Sequence, residues 1–393
     1  MFGNGVYGEN ANLNEVHLNH VVNCERWCLE SMKIINSRKV LEAAIYGGAF
    51  LGGGGGGSIE EGMKLGEVAL EIGNVVLASP DELEKEGIVV TASTVGSQVK
   101  GKGVLKPFNY IEAARIVERE VKELVGLISS ENGGLNTVAA WIQAAALGLP
   151  VVDAPCDGRA HPTILMGSMG LHRLENYVSV QSFSVGSPTV NHVSGIVKGP
   201  LLECSKVIRS IASIYGAVAV TRNPVTVDYL LRNAAVGAVS LAIEIGEVLL
   251  KHFSEPLDAL YKLASRFSGK VFEKCTIESL ELETKGGFDI GKAILKCGSK
   301  SYELTYMNEF MTLENSKGER VATFPDLITL VNVGKAKPIL SAELKRNMEV
   351  HMVVIDKTQI PLGSGLKYRE AYSILESALG KPITTYISTI LVR

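Results

Sequence analysis

The chain reads as an α/β N-terminal domain built on a mostly parallel sheet, followed by a β-rich C-terminal domain. Three observations predict this. Between residues 37 and 185, apolar β-branched runs alternate with amphipathic stretches, the pattern of βα units whose sheet is covered on both faces. Beyond Phe267 the texture changes to strands punctuated by Gly-Gly, Gly-Ser and Lys-Gly turns. With 393 residues, 46% of them hydrophobic and 21% charged, the chain has the length for more than one core and the composition of a globular protein.

The elements follow in order. SRKVLEAAIYGG is a helix, and SIEEGMKLGEVALEIG is another, its start marked by Ser58 and Glu61 in an S-x-x-E capping box. NVVLAS is a strand, PDELEKEG a turn or helix start, and GIVVTAS a second strand. YIEAARIVEREVKE is an amphipathic helix and VGLISS a strand. LNTVAAWIQAAALG is a helix with Asn136 as its natural N-cap, ending at Gly148, and LPVVDAP is a further strand. Residues 37–185 make this domain. Residues 186–393 hold a helical segment, LLECSKVIRSIASIYG and YLLRNAAVGAVSLAIEIGEVLLKH, and then the β-rich domain, closing with the helix YREAYSILESALG.

Residues 1–36 stand apart as an extension. The first 31 are rich in Asn and His and end before Met32-Lys33-Ile34, which looks like an ordinary start. His17, His20, Cys24 and Cys28 fall on one helical stripe of zinc-ligand types. On a straight helix they spread over about 16 Å, so adjacent pairs give half-sites rather than one site.

Composition excludes several functions. A net charge of −3 without a basic stripe leaves no footprint for nucleic acid. No apolar run reaches membrane-span length: AAVGAVSLAIEIGEVLL comes closest and is interrupted by Glu244 and Glu247. Six scattered cysteines and no export signal lead to the expectation of a cytoplasmic protein with reduced thiols.

Three constellations carry chemistry. LGGGGGGS, Leu51 to Ser58, lacks the Lys-Ser/Thr of a phosphate loop and the preceding strand of a dinucleotide fold, so no nucleotide cofactor is expected. It reads as a flexible loop in which Gly53, Gly54, Gly55, Gly56 and Ser58 offer backbone to a substrate, or as a tight turn. Glu131 with Gly133, Gly134 and Asn136 lies between a strand and a helix, at the sheet end where open α/β folds bind ligands. Asp153, Asp157, Arg159 and His161 follow the next strand at the same end: an aspartate to activate water or hold a metal, a guanidinium for a carbonyl or carboxylate, an imidazole for proton transfer. Cys156 beside two aspartates is a poor nucleophile. Glu309 and Asp326 each set a carboxylate among apolar residues and can reach an interdomain cleft; Pro325-Asp326 reads best as a turn.

Together these stretches resemble the S-methyl thiohydantoin desulfurase family, whose members associate with hydantoinase- and oxoprolinase-type proteins. The resemblance runs from residue 37 to about 365. It is carried by the glycine run 52–57, by Glu131 with Gly133, Gly134 and Asn136, by GLPVVDA with Asp157-Gly158-Arg159-Ala160 and Pro162, and by GAVSLAIEIG, TKGGFDIGKAIL, MNEFM and FPDLI. It implies the two-part architecture and hydrolytic loss of methanethiol from an S-methyl thiohydantoin. The chain departs from the family's usual Gly-Arg-Ala-Phe-Pro-Glu with His161 and Thr163, which implies a different substrate or another proton carrier, for which His161 is the candidate.

The expected function is a hydrolase of a hydantoin- or thiohydantoin-like heterocycle. Asp153 or Asp157 would activate water, Arg159 hold the ring carbonyl, and Asn136 with the glycine-loop amides stabilise developing charge. The alternatives are a non-catalytic partner subunit of a hydantoinase- or oxoprolinase-type enzyme, and a hydrolase using a divalent metal on Asp153, Asp157 and His161. A homo-oligomer is expected.

Overall fold

The computed structural model describes residues 32–96, 105–285 and 288–392. The proposed His17–Cys28 stripe lies outside them. The first sheet takes β1 (Lys33–Ile35), β2 (Val75–Ala78), β3 (Ile88–Gly96), β4 (Leu124–Ser129), β5 (Val151–Val152), β6 (Ser179–Val185), β7 (Val193–Gly199) and β8 (Ala217–Thr226), in the order β1-β2-β5-β4-β3-β8-β6-β7. Only the β2–β5, β5–β4 and β4–β3 pairs are parallel; β1–β2, β3–β8, β8–β6 and β6–β7 are antiparallel. The sheet is therefore mixed, not mostly parallel. The βα units end with β5, and β6 and β7 are joined as a hairpin, which can only be antiparallel. The sheet also continues past residue 185 through β7 and β8.

Helices cover both faces. On one side lie α1 (Arg38–Gly52), α2 (Ile59–Ile72), α3 (Pro107–Glu120) and α4 (Ala139–Leu147), with Leu41, Ile45, Tyr110 and Trp141 in one apolar cluster against Val90, Ala92 and Ala219. On the other, α5 (Leu201–Tyr215) sets Ile208 and Ala212 against Val185, Val218 and Val220. The expected long helix from Tyr229 to His252 is two: α6 (Val227–Asn233) and α7 (Ala238–Lys251), broken at Gly237, whose φ is +79°. Among the described residues no single helix is long and apolar enough to cross a membrane.

After α8 (Pro256–Arg266) comes the second sheet: β9 (Lys270–Lys285), β10 (Phe288–Cys297), β11 (Lys300–Met307), β12 (Glu309–Asn315), β13 (Arg320–Thr323), β14 (Leu327–Asn332), β15 (Pro338–Ile339) and β16 (Glu349–Ile355). Its order is β13-β12-β11-β10-β9-β16-β14-β15, antiparallel throughout. The tail, including α9 (Ser373–Leu379), folds Leu366, Tyr372 and Leu375 onto Met307, Met311 and Phe324. Cys275 and Cys297 face each other in register on β9 and β10 and form a disulfide, correcting the expectation that the thiols are reduced; Cys156 and Cys204 are free and buried.

The sheets meet along the end of α1 and along α7. Phe50 and Leu51 pack with Ile245 and Leu249 of α7 against Leu327, Val331 and Val353. The α1–α7 crossing is close because a Cβ at Gly246 would stand 1.8 Å from the carbonyl oxygen of Ala43. Helix α1 thus delivers the glycine run to the seam between the sheets.

Candidate active site

The run is held on both sides. Gly53 O accepts the N–H of Phe310 at 2.7 Å and Gly54 O that of Ser341 at 2.9 Å, both from the second sheet's side. Gly56 O accepts the N–H groups of Leu135 and Asn136 at 3.1 Å each. Backbone crosses backbone here: a Cβ on Gly56 would lie 2.5 Å from Gly133 Cα, and one on Gly133 2.3 Å from Gly56 Cα. Residues 52–56 are buried. The loop expected to be flexible is a packed strap, and Gly54 to Gly57 form part of the wall of a cavity of about 680 Å³. Ser58 instead starts α2, accepting the Glu61 N–H at 3.1 Å. Gly133 and Gly134 pack beneath the strap, with the Gly133 N–H bonded to Thr137 Oγ1 at 3.0 Å.

Glu131, just past β4, and His161, in the loop past β5, line this cavity together. Glu131 Oε1 accepts Asn136 Nδ2 at 2.6 Å, and Oε2 accepts the backbone N–H of His161 at 3.1 Å. The same Oε2 lies in ion-pair contact with His161 Nδ1, without the alignment of a hydrogen bond. Burial pulls the His161 pKa down, but the carboxylate beside it prevails and holds it above its ordinary value. His161 Nε2 is buried against Gly167 and has no hydrogen-bond partner among the described residues. Asn136 does not cap α4, since a short 3-10 turn over Asn136–Val138 precedes that helix; its side chain fixes Glu131.

From the second sheet comes Glu309, at the start of β12, 2% exposed. A Cβ at residue 55 would lie 2.0 Å from its Oε1, so a glycine there admits the carboxyl. Oε2 is buried without a hydrogen-bond partner. Burial, reinforced by the charge of Glu131, pushes the Glu309 pKa up to about 8. Asp326, read with it as a carboxylate among apolar residues, is a turn residue: Oδ2 accepts the Thr323 N–H at 3.0 Å, and Oδ1 pairs with Lys357 at 3.0 Å.

Another wall is cationic. Arg209 of α5 and Arg222 of β8 line the cavity, and neither forms an ion pair with a carboxylate among the described residues. Arg222 is 9% exposed with Nε unpartnered, and burial lowers its pKa to about 10. Burial also lowers the pKa of Arg209, which leans on the Phe288 ring at 5.2 Å. Sequence reasoning missed both; the available signal was an arginine inside the apolar strand AVAVTRNPVT.

The structure seats three expected site residues elsewhere. Asp153 Oδ1 accepts the Val239 and Ser240 N–H groups at 2.7 and 3.2 Å, capping α7. Asp157 is fully buried, with Oδ1 accepting the Gly158 and Gly363 N–H groups at 2.9 and 3.1 Å. Burial pushes its pKa up to about 7. Arg159 lies behind the strap, donating from Nη1 to the carbonyls of Pro325 and Asp326 at 3.1 and 2.5 Å and stacking on Phe324. None of the three lines the cavity. Nor do Asp153, Asp157 and His161 converge as metal ligands: among the described residues the one group with ligand atoms mutually within 4.8 Å is His252, Glu255 and Asp258.

A buried imidazole–carboxylate pair and a buried carboxyl from a second sheet share one cavity with a cationic wall. This is equipment for moving protons on a small polar ligand. The chain belongs to the S-Me-THD-like family: the N-terminal domain of that family matches residues 39–194 and its C-terminal domain residues 202–360. The crystal structure of a protein from Chromobacterium violaceum is similar in fold, with a TM-score of 0.65 and 21% identity over 90% of this chain and 96% of that one. No curated protein matches.

Proposed function

We propose that this protein is a hydrolase of a small hydantoin- or thiohydantoin-like heterocycle bearing an anionic substituent. The observation that carries the reading is the buried His161–Glu131 pair, both members of which line the cavity. Family membership supports thiohydantoin chemistry. The roles first assigned to Asp153 and Asp157 pass to His161: the imidazole takes a proton from water attacking the thioimidate carbon, and Glu131 stabilises the imidazolium that forms. Arg222 and Arg209 receive the anionic substituent, whose charge compensates that of the buried Arg222 guanidinium.

The test is methanethiol release from an S-methyl thiohydantoin with a carboxylate side arm, compared with its methyl ester. The wild type is expected to turn over the acid in preference to the ester. His161→Asn is expected to lose about 100-fold or more, the usual weight of a general base. Absence of release from both compounds refutes the reading.

A further inference from the structure

We infer that Glu309 is the proton donor of this site, contributed by the second sheet and delivering its proton to the departing sulfur. The inference rests on the thiohydantoin reading. Three geometric facts carry it. Glu309 lines the same cavity as His161 and Glu131 but arrives from β12, whereas they follow strands of the first sheet. Its Oε2 is buried and has no hydrogen-bond partner among the described residues. The strap leaves room for it only because residue 55 has no side chain. The charged groups acting on it are Glu131, which resists a second carboxylate, and His161 and Arg159, which favour one; burial decides for the neutral acid at neutral pH.

Two carboxyl groups in one cavity thereby take opposite roles. Water oxygen bonds to the thioimidate carbon while its proton passes to the His161 imidazole. The carbon–nitrogen π pair moves to the ring nitrogen, which takes the proton from the imidazolium. The intermediate then collapses: the carbon–sulfur bond breaks with its electron pair on sulfur, sulfur takes the Glu309 proton, and the hydroxyl proton returns to the Glu309 carboxylate as the carbonyl forms. The sum is one water consumed, one ring carbonyl and one thiol produced, with every protein group restored.

The test compares wild type and Glu309→Gln on an S-methyl and an S-phenyl thiohydantoin of the same ring. Thiophenolate leaves without a proton, so the variant is expected to lose about 100-fold with the S-methyl compound and less than about tenfold with the S-phenyl one. Equal losses on both overturn the assignment. Infrared difference spectra of the ligand-free proteins supply a readout without turnover: a protonated-carboxyl band in the wild type at pH 7 that fades above pH 8 and is missing from the variant. A wild type lacking that band overturns the assignment whatever the turnover. A wild type with the band and no turnover of either compound refutes the hydrolase reading, and the band then supports Glu309 as a neutral donor in the wall of a binding site.

Discussion

Arg222 brings a positive charge into the cavity wall, and among the described residues no carboxylate forms an ion pair with it. An uncompensated buried charge costs stability until a ligand neutralises it. Replacing Arg222 with Met should therefore raise the melting temperature of the free protein and abolish the shift produced by anionic ligands. A variant that loses stability and keeps ligand binding would remove Arg222 from the site. Asp157 makes a second residue-scale prediction through pH. Its ordinary pKa of 3.8 rises to about 7 in the fold, so between those values the folded state keeps a proton that the unfolded state has lost. Stability from this group is complete below pH 4 and is lost as pH rises towards 7. Asp157→Asn, which cannot ionise, should flatten the fall of melting temperature over that window; an unchanged slope would place the titration elsewhere. Both residues were visible as charged groups in the sequence. Their meaning was not, because it depends on which atoms reach a partner.

At the scale of elements, α7 is fixed by two contacts that predict separable losses. Asp153 caps its first turn, so Asp153→Ala should cost about 1 kcal/mol or more while leaving turnover per folded molecule intact. A collapse of turnover at full stability would restore Asp153 to catalysis. The α1–α7 crossing is steric: Gly246→Ala drives a methyl into the Ala43 carbonyl, at a cost of about 1–3 kcal/mol by chemical denaturation. The helices and strands from α1 to β5 were legible because apolar periodicity marks them well; β1, assigned to the extension, was not. Strands β6 to β8 were not, since SVQSFSV and AVAVTRNPVT bury Gln181, Ser182, Thr221 and Arg222 among their apolar residues and blur the alternation. The break at Gly237 was hidden for another reason: its cap comes from Asp153, far away in sequence.

Across the whole molecule, the cavity joins side chains from two sheets, so a ligand in it should stabilise both together. At a concentration of about 100 times its dissociation constant, a heterocycle is expected to add roughly 2.7 kcal/mol to the unfolding of the first and second sheets alike. Hydrogen exchange read separately in β4 and β12 checks this. Protection confined to β4 would mean that the second sheet holds no part of the site.

Local pattern determined the two-part architecture, the start of α2 at Ser58, and the position of Glu131 and His161 in loops beyond the strands that precede them. Periodicity and capping are properties of neighbours in the chain, and a sequence displays them directly. Tertiary structure alone decided that the glycine run is a packed strap crossing Gly133. It also decided that Asp153 and Asp157 serve backbone N–H groups while Glu131 and His161 pair, and that Glu309 and Arg222 reach the same cavity. Those outcomes depend on contacts between residues tens to hundreds of positions apart, where burial and the presence or absence of a partner set each group's charge.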